Sequence, residues 1–436
     1  MTLEDYLRQD AERYPDKPAV ICDDETVTYR ELYRRVCERA TLYPAGRIIT
    51  FRATQTIDFL VTYFAIHLAG SVAAPLEKNT PDELYREISD SLSTPPEGGT
   101  FGIADILYTT GTTGRSKGVI ISHRTIVADA ENLIEGQLFS HDLLFIINGP
   151  LNHIGSLSKI YPVILLGATL YIIDGMKDVN AFFRALDYPA SKVATFFVPA
   201  TIRMLMQFCA ERLSAYANKI DFIESGGAPL AHADMLRLCE LLPNTRMYNT
   251  YASTETGIIS TYNFNDGRCM QGCLGRPMSH SRIIITPEGL ISCQGDTLCS
   301  GYINDPELTA TILRNDTVYT SDIGHIDEEG MLRLSGRESD VINIGGYKVA
   351  PTEVEDAAMS LPCVKDCICI SVPHPIMEHA LKLLVVTDGD GPLDKKVIAR
   401  HLKSRLEAYK VPLLYERVDA VKRTYNGKVD RKFYKN

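Results

Sequence analysis

Five polar segments, far apart along the chain, carry residue types that handle phosphate, ribose and a divalent cation. The first runs from Tyr108 to Gly118 and reads YTTGTTGRSKG. Gly111 and Gly114 let backbone approach an anion closely, and the N–H groups of such a turn bind phosphate oxygens. The hydroxyls of Thr109, Thr110, Thr112 and Thr113 add donors, and Lys117 adds a charge. The Gly-x4-Gly-Lys-Ser/Thr spacing of another phosphate loop is absent. The second segment, YNTYASTETG from Tyr248 to Gly257, sets Glu255 beside hydroxyls and so offers hard oxygens to Mg²⁺. Its Tyr251 could stack on a base. The third pairs Asp322 in YTSDIG with Arg337 in LSGR. A carboxylate can accept both hydrogens of a ribose diol, and an arginine can bind phosphate or ribose. The fourth, NIGGYKVAPTEVE from Asn343 to Glu355, reads as a Gly345-Gly346 hairpin turn before a helix that Thr352 could cap. The fifth, RTYNGKV from Arg423 to Val429, puts Lys428 on a turn in a basic tail. Taken singly, the first points to phosphate. The other four are better explained as structural or solvated turns.

The elements that must hold these segments follow from periodicity. Residues 3–44 read as helix, strand, helix; Phe51–Ala69 as helix; Ser71–Pro75 as a short strand; and Ser91–Thr100 as a linker of helix and strand breakers. Strands are expected at Ile103–Tyr108, Leu143–Ile147, Thr169–Ile173, Thr195–Val198, Phe222–Glu224 and Arg246–Tyr248. Helices are expected at Thr125–Leu138, Val179–Leu186, Thr201–Tyr216 and Ala231–Leu241. That alternation predicts an α/β fold, with parallel-rich sheets covered by helices. Residues 282–335 read as a small β region. The last hundred residues read as a separate α+β unit, with helices at Pro351–Ser360 and Lys395–Tyr409 and strands at Asp366–Val372 and Leu381–Val386. A chain of 436 residues exceeds what one core usually supports, so two domains fit its length.

Composition narrows the function. The formal charge of −10 and pI near 5.6 speak against a dedicated nucleic-acid binder. The most apolar stretch, Ile160–Ile173, is too short for a bilayer and is interrupted by Pro162 and Gly167, so it reads as a buried helix running into a strand. The start is acidic and helical in pattern, unlike a secretory leader. The 11 cysteines are scattered, and the Cys269/Cys273 and Cys363/Cys367 spacings lack the partners of a zinc site. A reduced, cytoplasmic protein is expected.

In this order and spacing the five segments resemble the adenylate-forming superfamily, which includes acyl-CoA and aryl-CoA synthetases, luciferases of the firefly type and peptide-synthetase adenylation domains. The resemblance spans Thr28 to Lys428, nearly the whole chain. It implies an adenylate-forming domain at 1–338 and a mobile lid at 339–436, hinged near Ser339. It implies that the Thr109–Lys117 loop holds the ATP phosphates and that Gly227, Ala228 and Pro229 line the adenine pocket. Tyr251 would stack on adenine with Asn249 and Thr250 alongside, Thr254 would contact the α-phosphate, and Glu255 would ligate Mg²⁺. Asp322 would bind the ribose hydroxyls with Arg337 beside it. Lys428 would bridge substrate carboxylate and α-phosphate during adenylation. In a second pose Gly345, Gly346 and Lys348 would line a channel for the thiol of CoA.

The acid would sit among His153, Val198, Ser225, Gly226 and Ala252. His153 stands where enzymes for α-amino acids resemble one another in carrying an aspartate, so an amino acid is disfavoured and an aliphatic or aromatic acid with no further charge is expected. The chain departs from the family pattern at Ser116, Ala252, Ser339 and Asn426, and its phosphate loop comes early. A shortened N-terminal region could expose a dimer surface or shape a dock for a carrier protein. The resemblance therefore implies ATP-dependent formation of an acyl-adenylate, with transfer to CoA as the main reading. Loading of an acyl carrier protein by a stand-alone adenylating enzyme is the alternative. A non-catalytic nucleotide-binding protein is a third reading, which Lys117, Glu255, Asp322, Arg337 and Lys428 together oppose.

Overall fold

The computed structural model describes residues 1–96, 98–110, 116–344, 347–374, 378–387, 393–424 and 427–434. The apolar runs of strand length lie side by side. Pro18–Cys22, Thr169–Ile172, Leu143–Ile147, Lys192–Phe197, Ile220–Ser225 and Arg246–Ser253 are neighbours in that order and run parallel. Leu143–Ile147 is buried at every position, as expected of a parallel strand covered on both faces. The sheet then turns antiparallel through Gly257–Asn263 and Cys273–Pro277. It continues into the small β region of Leu332–Arg337, Thr317–Ile326, Leu290–Gly295 and Ser281–Ile285.

A second sheet holds Ile48–Ala53, Val72–Glu77 and Ile103–Thr110 in parallel, with Ser116–Ser122 antiparallel at its edge. The helix Ile57–Leu68 is buried nearly all round, which places it in a core rather than on a surface. One apolar cluster joins it to both sheets, through Ala73 and Leu107 on one side and Phe145 and Leu170 on the other.

Three local readings change. Phe51–Ala53 belongs to a strand, because its residues pair with Pro75–Glu77; the helix starts at Ile57, after Thr54-Gln55-Thr56. Thr201–Tyr216 divides into Pro199–Phe208 and Ala210–Ser214 at Cys209, whose φ of −135° is not helical. The first polar segment closes a hairpin rather than leading from strand to helix, since Ser116–Ser122 folds back on Ile103–Thr110. The helix His123–Gln137 begins only after that strand, where Ser122 Oγ accepts from Thr125 N at 3.0 Å.

Residues from Ile342 onward have a core of their own. Val364–His374 pairs antiparallel with Glu378–Thr387, and Leu414–Arg417 joins in parallel. Val354 and Ala358 of the helix Pro351–Met359, with Ile398 and Leu402 of Lys395–Lys403, bury against Cys367, Cys369, Leu383 and Val385. Thr352 is not the cap: Ala350 precedes a helix that opens on Pro351, and the Thr352 hydroxyl donates instead to Ser335 O at 3.4 Å. All 11 cysteines are free thiols. Among the described residues, no helix is long and apolar enough to cross a membrane.

Candidate active site

The hairpin strands Ile103–Thr110 and Ser116–Ser122 set Thr109 opposite Lys117 and Thr110 opposite Ser116. Gly111, Thr112, Thr113 and Gly114 lie outside the described residues, as does Arg115. The segment Ser300–Ile303 runs beside the second strand, with Ile303 N donating to Gly118 O at 2.8 Å and Ser300 N to Ile120 O at 2.9 Å. A Cβ on Gly118 would stand 2.6 Å from Ile303, so only glycine admits this approach. The result is that Lys117 Nζ stands 5.3 Å from the centre of the Tyr302 ring. Tyr302 donates to Glu255 Oε1 at 2.9 Å.

Thr254 and Glu255 occupy the turn between Arg246–Ser253 and Gly257–Asn263. Ser253 and Thr256 hold that turn by reciprocal bonds, each backbone N–H donating to the other's hydroxyl at 3.0 Å. Gly257 closes it at φ +67°, where a Cβ would meet Thr297 O at 2.4 Å. Glu255 is half-buried, with one oxygen fixed by Tyr302. A hard carboxylate oxygen beside the Thr254 and Ser253 hydroxyls is a donor set that suits Mg²⁺.

Asp322 and Arg337 face each other across Thr317–Ile326 and Leu332–Arg337. Arg337 Nε donates to Asp322 Oδ1 at 2.8 Å, and Tyr251 OH donates to Asp322 Oδ2 at 2.9 Å. Burial and the Asp322 charge push the Tyr251 hydroxyl well above its ordinary range, so it stays a donor. Strand alternation divides the neighbours. Asn249 and Tyr251 share a face, and Asn249 Nδ2 donates to Cys273 O at 3.2 Å. Thr250 turns its hydroxyl the other way, to Gln137 at 3.1 Å and Thr261 at 3.0 Å. Only its backbone stays beside the cleft, with its carbonyl oxygen 3.6 Å from a Cβ placed on Gly226.

The strand Ile220–Ser225 delivers Gly226, Gly227, Ala228 and Pro229 at its end. Gly226 is buried, while Gly227, at φ +78°, and Pro229 are exposed. Lys428 reaches this point from the C-terminal unit: its Cε lies 3.6 Å from a Cβ placed on Gly227. The turn that carries it is built by Thr424 N donating to Lys428 O at 2.8 Å, with Gly427 at φ +79° against Val198. Lys428 is open to water, yet protein walls crowd it. Loss of surrounding solvent and the Arg337 charge lower its pKa, while Asp322 and Glu255 pull the other way. The same ammonium, with burial as the larger cause, holds the His153 imidazole down at about 4, so it is neutral near pH 7. Val198 and Ala252 are half-buried, and Ser225 is buried.

One ion pair links the units: Asp366 of the C-terminal unit meets Arg203 at 3.6 Å. Each partner is also held within its own unit, Asp366 by Arg423 at 2.5 Å and Arg203 by Asp234 at 2.6 Å. Of the second-pose residues, Gly345 and Gly346 lie outside the described residues. Lys348 is seen as backbone in Tyr347–Val349, paired with Ile342–Ile344, and Ser339 as backbone in the short turn Glu338–Asp340. Sequence reasoning missed Tyr302, Lys159 and Arg203, whereas Phe196 falls in the segment Thr195–Pro199 expected to wall the acid. Only Arg203, a charge on an otherwise apolar helix, left a trace in the pattern.

The Lys117 hairpin, the acidic turn at Glu255, the Asp322–Arg337 pair and Lys428 stand near one another. Comparison with known proteins supplies the family. The family model described as AMP-binding enzyme matches residues 7–94 and 89–302, and that described as AMP-binding enzyme C-terminal domain matches 353–428. The 2-succinylbenzoate–CoA ligase of Bacillus mycoides is 25% identical over 460 residues, covering 94% of this chain and 94% of that protein. ATP-bound MatB from Rhodopseudomonas palustris has the same fold, with a TM-score of 0.87 at 23% identity over 100% of this chain and 98% of that one. So does O-succinylbenzoate coenzyme A synthetase (MenE) from Bacillus subtilis in complex with AMP, at a TM-score of 0.84 and 21% identity over 99% and 98%. The chain belongs to the AMP-binding enzyme family, within the adenylate-forming superfamily that its motifs resemble, and is an AMP-forming acid–thiol ligase.

Proposed function

We propose that this ligase converts ATP and a carboxylic acid to an acyl-adenylate in the cleft between Lys117, Glu255, Asp322 and Lys428, then passes the acyl group to the thiol of CoA. A carboxylate oxygen attacks the α-phosphorus, the bond to the β-phosphate breaks, and pyrophosphate leaves. The thiol sulfur then attacks the acyl carbon, its proton passes to solvent, and the bond to AMP breaks. The observation that carries this reading is the approach of Lys428 to the Gly227 turn, with its Cε 3.6 Å from a Cβ placed there, under the charges of Arg337, Asp322 and Glu255.

Each residue has a task. Asp322 has its orientation fixed by Arg337 and Tyr251, ready to accept from ribose hydroxyls. Lys117 and the hairpin backbone neutralise phosphate, and Thr254 contacts the α-phosphate. Mg²⁺ held by Glu255 would offset negative charge on the phosphates. Lys428 places one ammonium between carboxylate and α-phosphate, where charge builds, and such electrostatic placement is usually the dominant catalytic effect. Neutral His153 lets an uncharged acid body approach without a counter-ion. We assign residues 1–338 to the nucleotide domain and 339–436 to a lid that turns near Ser339, exchanging Lys428 for the Gly345–Lys348 turn. Relatives named as CoA ligases support CoA as the thiol and an aromatic acid among the substrates. The free cysteines fit a cytoplasmic setting.

The test is direct. Protein with ATP, Mg²⁺, CoA and a panel of fatty and aromatic acids yields AMP, pyrophosphate and acyl-CoA. A thioester that forms only on the phosphopantetheine of a carrier protein would replace CoA as the acceptor. Absence of AMP with every acid would refute the assignment.

A further inference from the structure

Behind the acid side of the cleft lies a charge pair that the reaction above does not use. Lys159 Nζ donates to Glu224 Oε1 at 2.8 Å, and the two side chains are 1% and 2% exposed. One ring joins them to the cleft. Phe196 is half-buried, and it fills the space a Cβ would take on Gly155, at 3.3 Å, and on Gly226, at 3.1 Å. Lys159 Nζ stands 5.4 Å from the centre of that ring. Phe196 is also the register partner of Glu224 in the neighbouring parallel strand. A continuous line therefore runs from Lys428, through the Gly226-Gly227 turn and the Phe196 face, to Lys159 and Glu224.

Withdrawing two charges from water is costly unless their remaining hydrogen-bonding capacity is met. Here it is not met. Glu224 Oε2, Ser225 Oγ and Asp129 Oδ2 are buried without a hydrogen-bond partner among the described residues. An ammonium has three hydrogens to donate, and the bond to Glu224 uses one. Burial pushes Asp129 up to about 7, while the Ile258 N–H and the Lys159 charge pull it down. A purely apolar ligand tip would leave every one of these groups unmet. A hydroxyl would accept from Lys159 and donate to Glu224 Oε2. The pair is neutral as a unit, so a second carboxylate would face Glu224 with no spare cation.

Resting on the ligase reading above, we propose that the acid is short and carries a neutral hydrogen-bonding group, a hydroxyl or an amide, at the end remote from its carboxylate, and that Lys159 and Glu224 select it. Phe196 limits the reach of a chain and offers its face to a ring. The expectation of an acid without further charge is kept, and a polar tip is added to it.

Matched acids test this: benzoate against 4-hydroxybenzoate, and hexanoate against 6-hydroxyhexanoate, with adipate as the charged control. The readout is the initial rate of pyrophosphate release. The hydroxylated member of at least one pair is expected to show a kcat/KM at least tenfold higher, with adipate the poorest of its series. The double variant Lys159→Met, Glu224→Leu, checked for folding by its melting curve, is expected to reverse that preference, mainly through KM. Wild-type preference for the apolar member in both pairs overturns the proposal, as does adipate as the best substrate. A folded double variant with an unchanged ratio also overturns it. The wild-type series decides even if the double variant does not fold. Activity confined to apolar acids sinks this inference and leaves the ligase standing, whereas no AMP from any acid sinks both.

Discussion

Tyr302 donates its phenolic hydrogen to Oε1 of Glu255 at 2.9 Å, from a position 47 residues further along the chain. The same ring lies 5.3 Å from Lys117 Nζ. One side chain thus orients the carboxylate and backs the lysine of the phosphate hairpin. Tyr302→Phe keeps the ring and removes the bond. A hydrogen bond to a charged group contributes about 1.5–3 kcal/mol, so adenylation is expected to fall by roughly tenfold or more. The Mg²⁺ concentration needed for half-maximal rate rises with it. Thioester formation from supplied acyl-adenylate stays near the wild-type rate. Equal loss in both half-reactions would refute the orienting role.

In the proposed reaction Lys428 places its ammonium between carboxylate and α-phosphate, and Lys428→Ala removes it. Losing a single charge-stabilising donor typically costs about 10²–10³ in rate. That loss is expected in acid-dependent pyrophosphate exchange, with little change when adenylate and CoA are supplied. The pH dependence follows from the direction of the pKa shift. Crowding and Arg337 place the Lys428 ammonium below lysine's usual 10.5. The charged form is the active one, so kcat/KM for ATP falls as pH rises through that lowered value. The alkaline limb should lie below 10.5 in the wild type and vanish in Lys428→Ala. An identical limb in both proteins would assign it to another group.

Much of this site was legible because its pieces are short polar interruptions in an apolar pattern. Asp322 and Arg337 stood out as a carboxylate and a guanidinium near strand ends, and the structure brings them together at 2.8 Å. Thr250 keeps only its backbone beside the cleft, because it alternates with Asn249 and Tyr251 on a strand and its side chain faces the other way. Tyr302 was not legible, because it reaches Glu255 only through the pairing of Ser300–Ile303 with a distant strand. Lys159 was hidden differently. It directly precedes the apolar stretch Ile160–Ile173, and only the fold shows that it is buried, paired with Glu224. The strand Ser116–Ser122 escaped because the polar turn was read as leading from the strand Ile103–Tyr108 to the helix at Thr125–Leu138, and a run this short gives little periodicity.

Asp366, fixed within the C-terminal unit by Arg423 at 2.5 Å, reaches across to Arg203 at 3.6 Å. Arg203 is in turn anchored by Asp234. A turn of the C-terminal unit that withdraws Lys428 must part Asp366 from Arg203. Asp366→Asn is therefore expected to weaken the adenylation pose, lowering pyrophosphate exchange about three- to tenfold, in line with about 1 kcal/mol for a partly exposed pair. Thioester formation from supplied adenylate should hold or rise. Slower thioester formation with unchanged exchange would show that the pair does not favour this pose.

His67 joins three elements far from the cleft. Its Nδ1 is 2.9 Å from Glu4 Oε1 and its Nε2 is 3.0 Å from Asp105 Oδ1, while Tyr63 donates to the other Asp105 oxygen at 2.9 Å. Burial opposes charge here, but the two carboxylates outweigh it and raise His67 to about 10 from an ordinary 6.5. Burial likewise raises Glu4, and the His67 charge outweighs that, lowering it to about 2 from 4.5. The folded His67 pKa lies above the unfolded one, so its stabilisation is complete below pH 6.5 and fades as pH climbs toward 10. The folded Glu4 pKa lies below its unfolded value, so its share is complete above pH 4.5 and fades toward pH 2. Stability from this cluster is then greatest between pH 4.5 and 6.5. His67→Gln leaves two buried carboxylates without their cation, which costs about 3–5 kcal/mol. The variant should melt several degrees lower at pH 6, and the gap to wild type should narrow between pH 7 and 10. A gap that stays constant across that range would mean His67 is neutral in the fold, held by hydrogen bonds alone.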